Sequence, residues 1–193
     1  CQQAKELAKM GYVGFAVDMY GEGREGHTLD EKKALMEPLV HDRRLLLQRI
    51  QAGLDAVKTI EQVNVNEIAV IGFCFGGLCA LDLVRNGDEI VGAVSFHGLL
   101  NKPDNASCKT TQAKVLVLHG YDDPMVPPEQ VEDFCREMTE AEVDWQVYLY
   151  GHTKHAFTNP NAHDDELGTV YNAKAASRAW LSMKNFLQEL FKS

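Results

Sequence analysis

The chain has 193 residues, 45% of them apolar and 24% charged, with a formal net charge of −9. That is the composition of one ordinary soluble domain with enough apolar material for a core. An acidic chain has no electrostatic footprint for nucleic acid or an anionic membrane face, no apolar run of about 18 residues is long enough to span a bilayer, and no signal peptide is visible at the start.

The five cysteines, Cys1, Cys74, Cys79, Cys108 and Cys135, are odd in number and scattered, with no C-x-x-C pair. Neither a structural zinc site nor a disulfide framework is expected, and a reducing cytoplasm fits best.

In chain order, Gln2–Met10 reads as a helix with Ala4, Leu7 and Ala8 on one face, closed by Gly11. No N-cap residue precedes it, so the natural chain is expected to extend upstream. Tyr12–Val17 is a short apolar run, predicted to be a buried strand. A glycine-rich loop follows at Tyr20–Gly26. Thr28 and Glu31 form a capping-box pair for a helix that Pro38 interrupts or restarts, and helical spacing runs on from Leu39 to Ile60.

Strands are predicted at Ile68–Ile71, Ile90–Phe96, Val115–His119 and Trp145–Tyr150. Helices are predicted at Leu78–Val84, Pro128–Met138 and about Tyr171 to Phe191. Strands alternating with helices imply a mainly parallel sheet covered on both faces, an α/β class fold. No repeat or linker appears, so residues 1–193 are expected to form a single domain.

The chemistry-bearing stretch is Ile68-Ala-Val-Ile-Gly72-Phe73-Cys74-Phe75-Gly76-Gly77-Leu78. A buried strand runs into G-x-C-x-G and then straight into a helix, the nucleophile-elbow pattern with cysteine in the serine position. The nucleophile sits on a strained turn, so glycine is expected beside it. The helix that starts there aims its dipole and free N–H groups at the thiol, and the Phe75 N–H is the expected oxyanion donor.

A cysteine nucleophile needs a base and a group that orients the base, in the chain order nucleophile, acid, histidine. Val115–His119 ends in two adjacent aspartates. Asp123, just before the Pro-x-Val-Pro turn, is the expected acid, and Asp122 a solvated rival. The loop after Trp145–Tyr150 offers His155 as the base, with His152 as rival. His97 closes a strand where ligand crevices form, so it is a candidate substrate contact. His119 reads as a hydrogen-bonded structural group. His152, His155, His163, Asp164 and Asp165 match no zinc spacing, so neither metal nor cofactor is expected.

These residues resemble the dienelactone hydrolase family of α/β-hydrolases. The likeness rests on GYVGFAVDMYGEG at 11–23, VIGFCFGG at 70–77, HGYDDPMVP at 119–127 and HAFTNP at 155–160. It implies an α/β-hydrolase fold, with Cys74, Asp123 and His155 in the family's catalytic positions. It also implies a substrate mouth shaped by the loop after Asp18, with Tyr20 and Arg24. Two departures stand out. Asn159 occupies a position where members that cleave anionic dienelactones carry arginine, and Arg24 is out of register with the other carboxylate-binding arginine. Both weaken the case for a carboxylate clamp. The family also begins with further strands, one of them central, and its following loop carries the second oxyanion donor and a glutamate near the cysteine. This N-terminal segment is expected to exist as a separate piece, in another chain or outside the 193 residues.

The expected substrate is a small ester or lactone, with Phe73, Phe75, Phe96, Tyr20 and Phe157 suggesting an apolar or aromatic pocket. Alternatives are a neutral aryl phosphotriester attacked by the same sulfur, and a non-catalytic ligand-binding relative.

Overall fold

The computed structural model describes residues 2–103 and 108–191; Cys1 lies outside the described residues. They cluster into two compact units, divided between Val65 and Asn66.

In the first unit, α1 (Gln2–Lys9) is closed by Gly11, whose φ of 93° needs no Cβ. The predicted strand at Tyr12–Val17 is not one. The segment joins neither sheet, and Val13, Phe15 and Val17 are 50%, 41% and 36% exposed. A strand needs a neighbouring ladder to satisfy its amides, and none pairs with it among the described residues. Glycines instead fit it against the helices: a Cβ on Gly14 would lie 2.2 Å from the Ala4 carbonyl oxygen, and one on Gly53 would lie 2.5 Å from Val17.

Helix α2 (Leu29–His41) starts with the expected capping box. Thr28 accepts from the Glu31 N–H, and the Glu31 carboxylate accepts from the Thr28 N–H. Pro38 does not interrupt it. The break comes at Asp42, whose carboxylate accepts from Arg44 and Leu45 and so caps α3 (Arg43–Lys58).

The second unit holds four parallel strands in the order β1-β2-β3-β4: β1 (Ala69–Phe73), β2 (Gly92–Phe96), β3 (Lys114–Gly120) and β4 (Trp145–Tyr150). Helix α4 (Phe75–Asn86) joins β1 to β2, and α5 (Pro128–Glu140) joins β3 to β4. A short antiparallel hairpin, β5 (His163–Asp164) and β6 (Thr169–Val170), precedes α6 (Ala173–Phe191).

Every residue of β2 is buried, as expected for a strand covered on both faces. Alternation along β2 separates those faces. Gly92 faces Leu190 and Phe96 faces Trp180, both on α6, while Ser95 faces Gly77 on α4. Phe73 stacks on Phe96 at 4.6 Å between ring centres, with Trp180 tilted against both rings.

The buried Arg85 ties this unit together. Its guanidinium donates to both carboxylate oxygens of Glu137 at 2.9 Å, to Asp82, and to the Leu100 and Asn101 carbonyls. Such a charge is tolerated in a core only because it is fully paired.

The start of α4 lies against the end of β2 with no room to spare. A Cβ on Gly77 would sit 2.4 Å from Ser95 Oγ and 2.8 Å from Gly98 Cα. Gly77→Val is therefore expected to destabilise the protein by about 2 kcal/mol or more through overpacking, read by urea unfolding. An unchanged midpoint would contradict the close approach.

Candidate active site

Cys74 stands between β1 and α4 with φ 52° and ψ −117°, a conformation costly for a residue with a Cβ. It persists because the surroundings dictate it. The Cys74 N–H donates to the Phe96 carbonyl at 3.0 Å, continuing the sheet ladder, and the Cys74 carbonyl accepts from Gly77 and Leu78, starting the helix. The elbow needs two of its glycines. A Cβ on Gly72 would lie 1.9 Å from the Gly76 carbonyl oxygen, and Gly77 abuts β2. Gly76 would meet nothing within 4 Å, so the crowding expected beside the nucleophile does not extend to that position.

Asp123 follows β3 and is buried. Its Oδ1 accepts from the Met125 N–H at 2.9 Å, and its Oδ2 lies 2.7 Å from His155 Nδ1. The far side of that ring, Nε2, lies 3.0 Å from Cys74 Sγ. The three predicted residues thus come together in the predicted order. The rivals point elsewhere: His152 is fully exposed and faces Asp122 at 3.8 Å.

The hairpin that sequence reasoning missed holds the base in place. His155 donates its N–H to Gly168, and its carbonyl accepts from Val170. His119 braces the acid loop through a 3.2 Å contact between Nε2 and the Val126 carbonyl.

Burial opposes charge on His155. The hydrogen bonds and negative charges of Asp123 and Cys74 outweigh it and raise its pKa to about 9. His97 is the reverse case. Burial, then the charge of His155, push it down to about 3 despite Asp123. Burial also lowers His119, against the pull of Asp123 and the Val126 carbonyl.

The other predicted contacts are placed as follows. Phe75 is the first residue of α4, and its ring, like that of Phe96 on β2, is buried in the core instead of lining a pocket. Phe73 is half-buried on Phe96. Phe157 has no exposed surface and packs edge-on against His97, so it supports the site instead of lining a pocket. His97 is 3% exposed, and its ring meets that of His155 edge-on at 5.1 Å, which makes it a neighbour of the base and no open wall. Tyr20 and Arg24 belong to the first unit. There the Asp18 carboxylate gathers the N–H groups of Tyr20, Gly21 and Gly23, and the Arg24 guanidinium donates to the Tyr20 and Gly21 carbonyls of its own loop. Among the described residues no group of three or more His, Cys, Asp or Glu side chains is disposed to hold a metal ion, and no helix is long and apolar enough to cross a membrane.

A profile of the dienelactone hydrolase family matches residues 2–191. An uncharacterised protein of Caenorhabditis elegans is 34% identical over 149 residues, spanning 76% of this chain and 94% of that one. A protein of Aquifex aeolicus that carries a carboxymethylenebutenolidase name is 28% identical over 189 residues, spanning 97% of this chain and 79% of that one. Among solved structures, a dienelactone hydrolase-like promiscuous phosphotriesterase from metagenomic libraries superposes with a TM-score of 0.89. It is 35% identical and covers 98% of this chain and 79% of that one. The chain belongs to the dienelactone hydrolase family.

Removing the carboxylate beside His155 takes away one of the groups that hold its proton. Asp123→Asn is expected to lower the His155 pKa from about 9, read by imidazole NMR titration. A titration that stays at the wild-type value would contradict the charge balance described.

Proposed function

We propose that this member of the dienelactone hydrolase family cleaves small ester or lactone bonds through an acyl-Cys74 intermediate. The observation that supports it most is the in-line contact of Cys74 Sγ, His155 and Asp123, at 3.0 and 2.7 Å, in the order a triad requires. The His155 imidazole, whose pKa is raised to about 9, accepts the proton of the Cys74 thiol. The sulfur then attacks the carbonyl carbon, a C–S bond forms, and the carbonyl electron pair moves onto oxygen. The Phe75 N–H, at the start of α4, receives that negative charge. Collapse expels the alcohol oxygen, which takes the proton from His155 Nε2.

Acylation itself prepares the second half. Once Sγ carries an acyl group its negative charge is gone, and with it the Cys74 contributions that raised the histidine. The imidazole then gives up its proton more readily and acts as a base. It accepts a proton from water, hydroxide adds to the thioester, and the acid leaves as the sulfur is restored. Phe73, half-buried on Phe96, is the pocket residue. The free thiols of Cys74, Cys108 and Cys135 suit a reducing cytoplasm.

A second reading has a specific support: the metagenomic relative is named for promiscuous phosphotriesterase activity. The same sulfur attacking phosphorus would expel an aryl oxide from a neutral phosphotriester. Assaying p-nitrophenyl acetate beside a neutral p-nitrophenyl phosphotriester separates the two. Turnover of the ester supports the first reading, and turnover of the phosphotriester alone would replace it with the second.

Cys74→Ala is expected to lower ester kcat by about 10³-fold or more, and Cys74→Ser to retain part of it, because an oxygen nucleophile fits the same elbow. A fully active Cys74→Ala protein would reject covalent catalysis by this sulfur. The pH dependence is also distinctive. For an alkyl ester, whose leaving group needs a proton, kcat/KM is expected to fall above about pH 9 as His155 deprotonates. For a p-nitrophenyl ester, whose leaving group needs none, it is expected to hold level there. Identical alkaline limbs for both substrates would contradict the proton's assignment to His155.

A further inference from the structure

The proposed mechanism uses one of three histidines gathered at the carboxyl ends of β2 to β4. His97 is the one that touches both the base and the base's loop. It is 3% exposed, and its backbone φ of 38° is rare for a residue with a Cβ. Non-glycine residues in that region also include Cys74 and Ala156, which adjoin the same reacting atoms. The His97 N–H donates to the Leu118 carbonyl, which fixes the residue at the head of the sheet. Its ring meets His155 edge-on at 5.1 Å, and on its other contacts meets Phe157 at 5.2 Å and Phe73 at 6.2 Å. Its Nε2 lies 2.8 Å from Thr158 Oγ1, three residues past the base.

We infer that His97 is a positioning residue: its ring supports the face-to-edge seat of His155, and its bond to Thr158 locks the 155–158 turn that delivers Nε2 to Cys74. The role suits an imidazole that keeps no positive charge. A cation there would repel the imidazolium on which the proposed chemistry depends. The ionisable groups facing His155 are Asp123, Cys74 and His97, and His119 is the further neighbour beside Asp123. Strain at residue 97 fits such a role, because a rare backbone conformation is kept where the side chain must be aimed. The inference rests on the triad reading of Cys74 and His155.

Thr158→Val removes the hydroxyl at nearly constant shape, and Thr158→Ser restores it. In the full chain, Thr158→Val is expected to lower kcat for p-nitrophenyl acetate about tenfold or more with KM changed by less than about twofold, since a small misplacement of the base acts on the chemical step. Thr158→Ser is expected to recover most of that loss. The alkaline limb for an alkyl ester is expected to shift below pH 9 in Thr158→Val, as the imidazole meets Asp123 and Cys74 less squarely. His97→Phe, which keeps a ring but not the bond, is expected to match Thr158→Val, and the double variant to lose no more than either alone.

The pH profile of Cys74 alkylation by iodoacetamide, which needs no ester, reads the same pairing. A wild type that alkylates normally but cleaves no ester would sink the proposed function without touching the positioning role. Thr158→Val with wild-type kcat, ester limb and alkylation profile would overturn the positioning role, as would a loss confined to KM or one that Thr158→Ser fails to recover.

Discussion

The site turns on the 3.0 Å contact between His155 Nε2 and Cys74 Sγ. The two residues are 81 apart in sequence and follow different strands, so local propensity does not bring them together. What does is the register of the parallel sheet. Phe73, Phe96 and Leu118 align across β1, β2 and β3, and β4 continues that row. Strands β1 and β2 end on that row, β3 and β4 run two residues past it to Gly120 and Tyr150, and the residues beyond those ends converge. A shift of register in β3 or β4 would carry Asp123 or His155 away from the sulfur without breaking any element.

That convergence has a cost the surroundings must cover. Asp123 and His155 are buried, and a buried charge is tolerated only when paired and hydrogen-bonded. Asp123 has the Met125 N–H and the imidazole; His155 has the carboxylate on one nitrogen and sulfur on the other. The neighbouring histidines, His97 and His119, are pushed by burial toward the neutral form, while His155 is held toward the charged one. One sheet end thus contains three imidazoles in two electrostatic roles, separated by their contacts alone.

Much of this was legible in the residues. The G-x-C-x-G turn between an apolar run and a helical one places Cys74, and the chain order of Asp123 and His155 follows from strands that are plain in VLVLH and WQVYLY. The limits of each element are less so, because strand ends depend on pairing partners that periodicity does not reveal. Tyr12–Val17 shows this most clearly. Its apolar run has strand composition, yet without a ladder among the described residues it stays irregular. Pro38 misled in the opposite direction, since the Asp42 cap ends α2 instead. The hairpin that grips His155 is too short, at two residues per strand, to show a period of two. The link from His97 to Thr158 spans 61 residues and carries no local signature.

The most direct test of covalent catalysis is rapid-quench mass spectrometry of the protein during turnover of a p-nitrophenyl ester. The account predicts one acyl group on the peptide that contains Cys74, formed in the burst and lost at the rate of steady-state turnover. Sustained ester cleavage with no acyl group on that sulfur, or with the group on another residue, would contradict it.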